Sequence, residues 1–595
     1  MINAENSSRL FPSSEVVEAG GWRAELRNDE LADISFNGTP VLRAIRAVVR
    51  DHDWRTLVPT VRRVAHRDKG DGTTVLLDID FDGFGASYTG ELAIHFKANN
   101  LKATFDGVAP AAFRSNRIGL VVLHRPDDAG RPVTIGSPGG GRTPSTFPLD
   151  ISPHQPFLDI ASMEWERDGT RFQLRFSGDV FETEDQRNWT DASFKTYSTT
   201  LSKPFPVEVP AGNRVHQSVL LTANPTAGTG GGTTATPAAA PQGAATQGAP
   251  VLTVLDGAAA RVPALSISST SGSGELLGRR IPGLEALLVE LHPGTDAESV
   301  VRSAVEQATV LGVPLDVRLE VPSADRVPGL LDLLPLENVM RLGIFDAVSR
   351  VTEPGLWAVL EEEAGRRGFT GTLVAGASSH FIQLNRNADR LPKNAPALTF
   401  SITPQKHTTE IPHIVETLPI QRLTALNALR IGSGRPLHVG PVTLKPRFNA
   451  AASSGGMDAA GGMDAAGMDP LQPEPFTAAW LLGSIAALSI PGVESVSYFE
   501  ASGPRGISGP GGLTPAGEVL AALAGLRGAD VLEVDGTVPG LVLYPVRDGA
   551  RTVLFAANLT PDRLSATVRL PLGLTHDGEA NLELEAWTAV VHPLD

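Results

Sequence analysis

Beyond residue 250 the sequence repeats one rhythm, a short apolar segment of strand length followed by a longer segment with helical period. The segments Ala264–Ser268, Ala286–Leu291, Leu315–Glu320, Met340–Phe345, Gly371–Ala375, Ala397–Ile402, Leu437–Leu444 and Glu494–Phe499 read as strands. Helical stretches stand between most of them, at Ala297–Leu311, Leu356–Arg367, Ile414–Ile431 and Phe476–Ser489. Eight strands alternating with helices fit a closed (β/α)8 barrel, whose usual size is about 250 residues. An open doubly wound sheet is the competing arrangement, but no Gly-x-Gly-x-x-Gly turn follows any early strand. A TIM barrel is therefore expected over 251–528.

The flanks read differently. From Trp22 to about Ala223 the chain runs in short alternating segments such as Thr74–Phe81, Glu91–Phe96 and Arg171–Phe176, separated by Gly, Asp and Asn turns. That pattern predicts an antiparallel β-sandwich over 1–222. Residues 223–250 are rich in Gly, Ala, Pro and Thr, cannot bury enough apolar surface to offset ordering, and read as a disordered linker. From about Ala529 strand patterns return, at Leu541–Val546, Thr552–Asn558, Ser565–Leu570 and Leu582–Val591, predicting a small C-terminal β domain over 529–595. The expected fold class is thus multidomain α/β and β. Within the barrel, Ser453–Pro470 carries a near-tandem Gly-Met-Asp-Ala-Ala repeat. It lacks the alternating acidic ligands and terminal Glu of a calcium loop and reads as a mobile loop after the seventh strand.

Composition removes several function classes. The formal net charge is −16 and no Lys/Arg-rich run occurs, so neither a nucleic acid nor an acidic membrane surface is expected as partner. The chain has no cysteine, which excludes disulfides, thiolate nucleophiles, Cys-ligated zinc and iron–sulfur clusters. Met1 to Ser14 lacks the basic and apolar regions of a secretion leader. The longest apolar stretch, Ala478 to Gly492, is too short to span a bilayer and is interrupted by Ser and Pro. A cytoplasmic protein is expected. No Gly-x-Ser-x-Gly elbow and no phosphate loop is present. His407, Glu410 and His413 offer three potential metal ligands, but Pro412 is expected to break the helix that would align them. Neither a metal nor a cofactor is expected.

The densest functional vocabulary is the run Phe181-Glu-Thr-Glu-Asp-Gln-Arg-Asn-Trp-Thr-Asp-Ala-Ser-Phe-Lys-Thr-Tyr197. Such a charge run is commonly a solvated edge strand with ion pairs. Here, however, polar groups appear on both faces, and Trp and Tyr are interleaved with carboxylates and amides. Sugars are recognised in that way, by aromatic faces on C–H patches and fixed polar groups on hydroxyls. Glu184, Asp185, Arg187, Asn188, Trp189, Asp191 and Lys195 are accordingly expected to bind substrate.

This run resembles the N-terminal signature of the D-apionate lactonase family, as does Phe147-Pro-Leu-Asp-Ile-Ser-Pro-His-Gln-Pro-Phe157. The resemblance continues through Phe381-Ile-Gln-Leu-Asn-Arg386, Ser401-Ile-Thr-Pro-Gln-Lys-His407, Glu416-Thr417, Leu444-Lys-Pro-Arg-Phe-Asn449 and Tyr498-Phe-Glu-Ala-Ser-Gly-Pro-Arg-Gly506. It covers nearly the whole chain apart from the linker and the Gly-Met-Asp insert. It implies a β domain, a barrel and a small C-terminal β domain acting on D-apionolactone to give D-apionate, with a sugar lactone or sugar acid as partner. The chain departs from the family pattern at Gln383, where Glu is expected, after His407, where Glu410 alone supplies acidity, and at Asp469-Pro-Leu-Gln472, which lacks an Arg.

Lactone hydrolysis needs a base to activate water, a donor for the developing oxyanion and an acid for the ring oxygen. In a barrel these sit at the C-terminal strand ends. Glu500, directly after the eighth strand, is the expected base, with an ion pair to Arg505 as its structural alternative. His407, after the sixth strand, is a base or oxyanion donor. Glu416, at the start of the next helix, is the second carboxylate, though there it also complements the helix dipole. Asn385, Arg386 and Arg505 are expected donors to hydroxyls or the product carboxylate. Two rival readings stand beside this one. The first is a glycoside hydrolase pairing Glu500 with Asp346 or Glu416; the second is a non-catalytic carbohydrate-binding protein.

Overall fold

The computed structural model describes residues 14–69, 72–225, 249–270, 278, 280–448, 468–571 and 578–594. Most of the expected linker, and the Gly-Met-Asp repeat up to residue 467, lie outside the described residues. The described chain forms two compact units, residues 14–225 and 249–594.

The first unit is the expected β-sandwich of two nine-stranded sheets. One sheet contains Thr39–Asp51, Phe113–His124, Phe194–Tyr197 and Phe181–Asp185 side by side; the other contains Thr170–Ser177, Arg214–Pro225, Asn100–Val108 and Ala86–Lys97. Alternation along each strand sends one set of side chains into a shared core that includes Trp22, Phe36, Phe81, Phe105, Phe172, Phe181 and Phe194. Rings meet across the sheets, Phe36 with Phe172 at 6.5 Å and Phe176 with Phe181 at 4.4 Å between centroids.

The second unit is built on a closed barrel of eight parallel strands: Ala264–Ser268, Leu287–Leu291, Leu315–Val321, Val339–Asp346, Thr372–His380, Ala397–Ser401, Leu437–Val442 and Val493–Glu500. Local signals explain the first helix, Ala297–Leu311: Asp296 caps its N-terminus by accepting from Ser299 N, and Gly312 ends it at φ +72°. The fifth strand runs to His380, past the expected end at Ala375, and its pairing shifts register between Gly376 and His380. Only glycine permits that bulge. Gly376 has φ +133°, and a Cβ there would stand 2.2 Å from the Thr399 carbonyl oxygen.

The helix expected at Ile414–Ile431 is two helices, Ile411–Glu416 and Leu418–Ile431. Each has a proline in its first turn, where the missing N–H costs nothing. Pro412 therefore opens a helix rather than breaking one.

A seven-stranded sheet completes this unit. It holds the expected C-terminal strands, and also Val251–Arg261, which pairs antiparallel with Asp530–Asp535 and parallel with Leu564–Arg569. A barrel boundary at 251 thus needs correction, because the chain contributes to the C-terminal sheet before it enters the barrel. The helix Pro475–Leu488 is buried on almost every side, as expected of a helix apolar all round. It packs against Leu418–Ile431, Pro515–Ala524 and the C-terminal strands. Phe476 meets Trp587 edge-on at 5.7 Å, and Ser489 Oγ lies 2.7 Å from the Tyr544 hydroxyl. No described helix is long and apolar enough to cross a membrane.

Candidate active site

The barrel strands carry buried charged side chains. Along Leu315–Val321 the charges Asp316, Arg318 and Glu320 recur at every second position and therefore share one face. In the lower layer Arg341 Nε donates to Asp316 Oδ2 at 2.6 Å and Arg318 Nη2 donates to the same oxygen at 3.0 Å. Arg341 Nη2 also pairs with Glu285 at 2.9 Å. Burial pushes the Asp316 carboxyl up, but the two guanidinium charges outweigh it and hold it down at about 2.

Above this layer, toward the C-terminal strand ends, the third strand presents Glu320, with a side chain only 1% exposed. His292, just past the second strand, approaches Glu320 Oε2 with Nδ1 at 2.9 Å. Arg350 donates to the same oxygen, and Ser378 Oγ on the fifth strand donates to Oε1 at 2.5 Å. Burial opposes the Glu320 charge, yet the hydrogen bond and charge of His292, with Arg350 and Ser378, hold its carboxyl below the ordinary range. Conversely, burial lowers His292, while Glu320 and then Glu290 more than compensate and raise it above the ordinary histidine value. Glu290, on the second strand, is paired with Arg447, whose Nη2 also donates to the Ser378 carbonyl at 2.9 Å. Arg350 and Arg447 both lie against the Phe448 ring, at 4.5 and 5.4 Å from its centroid. Buried His380 is held neutral by desolvation and by the charges of Lys406, Arg447 and His407.

The side chains expected from sequence are distributed as follows. Glu500 ends the eighth strand, and its Oε1 accepts from Arg505 Nε at 2.9 Å within its own loop. Backbone bonds Glu500 N to Arg505 O and Ile507 N to Glu500 O fold that loop back on the strand. His407 is half-buried after the sixth strand. Glu416 is exposed at the junction of two helices, the last residue of Ile411–Glu416 and the residue before Thr417, the N-cap of Leu418–Ile431. Asn385 and Arg386 are half-buried on the short helix Phe381–Arg386 that follows the fifth strand. His413 Nε2 lies 3.3 Å from Glu410. Asp346 closes a turn, its Oδ1 accepting from Val348 N and Ser349 N at 2.9 and 2.7 Å. Asp469, the last aspartate of the repeat, accepts from Gln405 and from Leu471 N.

In the sandwich, the run from Phe181 to Tyr197 does alternate. Phe181 and Phe194 enter the core, while Glu182, Glu184, Lys195 and Tyr197 occupy the opposite face, with Glu182 in register with Tyr197 and Glu184 with Lys195. On that face Lys195 Nζ lies 2.5 Å from Glu184, and Trp189 Nε1 donates to Glu184 Oε1 at 3.0 Å. Burial lowers Lys195 against the opposing pull of Glu184, with Arg50 lowering it and Asp191 raising it. Asp185 and Arg187 form a buried bidentate pair at 2.8 and 2.7 Å. The same guanidinium donates to the carbonyls of Pro148, Leu149 and Asp150, and lies 4.4 Å over the Phe194 ring. Asn188 Nδ2 donates to Ser152 O at 2.5 Å. The two stretches with the strongest family resemblance are therefore one structure, the second clamped by the first.

Glu290, His292, Glu320, Ser378 and Arg447 were absent from the sequence-based candidates. A signal existed, since charges at alternate positions of a parallel barrel strand must face the interior. Arg447 stood within a motif already singled out.

Residues 2–226 match the family model of the D-apionate lactonase N-terminal domain, and residues 345–528 match that of the D-apionate lactonase TIM barrel domain. The D-apionate lactonase of Brucella anthropi is 26% identical over 556 residues, covering 89% of this chain and 90% of that protein. Among solved structures, a glycoside hydrolase family 30 xylanase from Clostridium acetobutylicum aligns at 10% identity over 58% of this chain and 99% of its own, with a TM-score of 0.40. A beta-arabinopyranosidase aligns at 11% identity over 97% of this chain and 100% of its own, with a TM-score of 0.32. Scores this low carry no argument about chemistry. Two domain models of one family, and a relative of the same family matched along most of its length, establish that the chain belongs to the D-apionate lactonase family.

Proposed function

We propose that this protein is a lactonase that opens a branched-sugar lactone, D-apionolactone or a close relative, by general acid/base attack of water. The observation that carries the reading is the convergence of carboxylates, an imidazole and two guanidiniums at the C-terminal ends of the second, third and fifth strands and the loops after the fourth and seventh. That is the face on which barrel enzymes do chemistry. The cationic groups around Phe448 suit the charge that develops on the carbonyl oxygen and persists on the product carboxylate.

Within this proposal Glu500 serves by holding Arg505, and Arg505, Asn385 and Arg386 supply donors to hydroxyls. His407 adds a donor near His380. Glu416, exposed at a helix C-terminus, is the weakest of the expected groups. Glu184, Trp189, Asp191 and Lys195 are assigned to sugar-hydroxyl recognition by the sandwich taken by itself, whereas Asp185, Arg187 and Asn188 are assigned to holding the 148–152 loop. Turn closure by Asp346 favours this reading over a paired-carboxylate glycosidase.

The test is hydrolysis of D-apionolactone and a panel of aldonolactones by the purified full chain, followed by base uptake with and without a chelator. Catalysed opening that survives the chelator is expected. A rate equal to the spontaneous one overturns the lactonase reading, and abolition by the chelator overturns the acid/base mechanism.

A further inference from the structure

Resting on that reading, we infer that His292 is the general base of lactone opening and that Glu320 is its positioning residue. Hydrogen-bond chemistry fixes the tautomer. An ionised carboxylate can only accept, so the bond to Glu320 Oε2 requires the proton on His292 Nδ1. The Nε2 lone pair is then presented outward, and Nε2 has no hydrogen bond to protein among the described residues.

Exposure agrees with that division of labour. The His292 side chain is 33% exposed, whereas Glu320 is 1% exposed. Glu320 is fixed from three directions, by His292, Arg350 and Ser378, so the imidazole plane is set by a rigid partner. Glu290, close enough to favour the imidazolium, is itself neutralised by Arg447 and so does not compete for the proton. No comparable arrangement surrounds His380, which is buried among cations, or His438, which burial and the Arg341 charge push down to about 3.

The steps balance. Water oxygen forms a bond to the lactone carbonyl carbon while His292 Nε2 takes one water proton. The C=O π pair moves onto oxygen, facing the Arg350 and Arg447 side. On collapse the ring C–O bond breaks, and its electron pair leaves on the ring oxygen, which takes the proton from the His292 imidazolium. The new carboxylic acid then loses its proton to solvent, and no oxidant or reductant is involved.

The experiment uses the full chain and D-apionolactone. His292→Gln, at a partly exposed site, is expected to fold and to melt cooperatively while kcat falls roughly 10²–10⁴-fold with KM changed less than about threefold. Glu320→Gln is expected to lower kcat and to move the acid limb of the kcat/KM profile to lower pH, because the imidazolium loses its carboxylate partner. A purely structural role would not shift that limb. In wild-type protein carrying carbon-13-labelled histidine, the resonance missing from His292→Gln should titrate above the ordinary histidine value. This measurement does not depend on whether Glu320→Gln folds. An active wild type with His292→Gln retaining more than about a third of kcat, or a His292 resonance titrating below the ordinary value, overturns this inference alone. An inactive wild type overturns the lactonase reading and this assignment together.

Discussion

Replacing Arg187 by Met removes a charge from the interior of the sandwich. Arg187 and Asp185 are 2% and 0% exposed, so the variant leaves a carboxylate with little water and without its bidentate partner. Breaking a buried pair from one side costs about 3–5 kcal/mol, and the carbonyls of Pro148, Leu149 and Asp150 also lose their donor. These losses belong to one network and do not add independently, so about 4 kcal/mol is the working figure. In a domain of this size each kcal/mol moves the midpoint by roughly 2–4 °C, which predicts a fall of about 10 °C in the sandwich transition. Calorimetry of the full chain reads it, and lactone kinetics on the same preparation read the site. The double variant Asp185→Asn with Arg187→Met leaves no unpaired charge and should recover about half of the loss. A single variant that melts within about 2 °C of wild type while its KM rises severalfold would refute the reasoning. In that case the guanidinium reads a ligand rather than holding the loop.

Two further perturbations bear on the barrel. Gly376→Ala forces a Cβ to 2.2 Å from the Thr399 carbonyl at φ +133°, so it should destabilise by roughly 2–4 kcal/mol and lower kcat by displacing Ser378 from Glu320; denaturant unfolding and kinetics indistinguishable from wild type would contradict the bulge. The Glu320–His292 pair gives a signed pH dependence. Glu320 lies below its ordinary value, so its contribution is present above the carboxylate range and is lost as pH falls through its folded value. His292 lies above its ordinary value, so its contribution is complete below about 6.5 and is lost as pH rises through the raised value. The stability difference between wild type and His292→Gln should therefore be largest between the carboxylate range and about pH 6.5 and shrink as pH rises through the raised His292 value. A difference that grows with pH would count against the pair.

Features that depend on local period and local caps were legible along the chain. Alternation located the sandwich strands, the strand–helix rhythm located all eight barrel strands, and Asp296 with Gly312 bounded a helix at both ends. The same periodicity places Asp316, Arg318 and Glu320 on one face of a parallel strand. Elsewhere local signals pointed the wrong way. Gly376 looked like the end of a strand because its bulge is stabilised by a neighbouring strand, and Pro412 looked like a breaker because a helix start is defined only by what precedes it. The clamp of Arg187 on residues 148–150 was invisible for a related reason, because its acceptors are backbone carbonyls that any residue type would supply.

Which charges meet depends on long-range packing. Glu320 takes its partners from His292, Arg350 and Ser378, which are 28, 30 and 58 residues away. Arg447 reaches Glu290 across 157. Val251–Arg261 pairs in parallel with Leu564–Arg569, although the whole barrel stands between them in sequence. A strand's period dictates which face a side chain occupies, but barrel closure dictates what stands opposite that face. The pairing of His292 with Glu320 is a property of the closure.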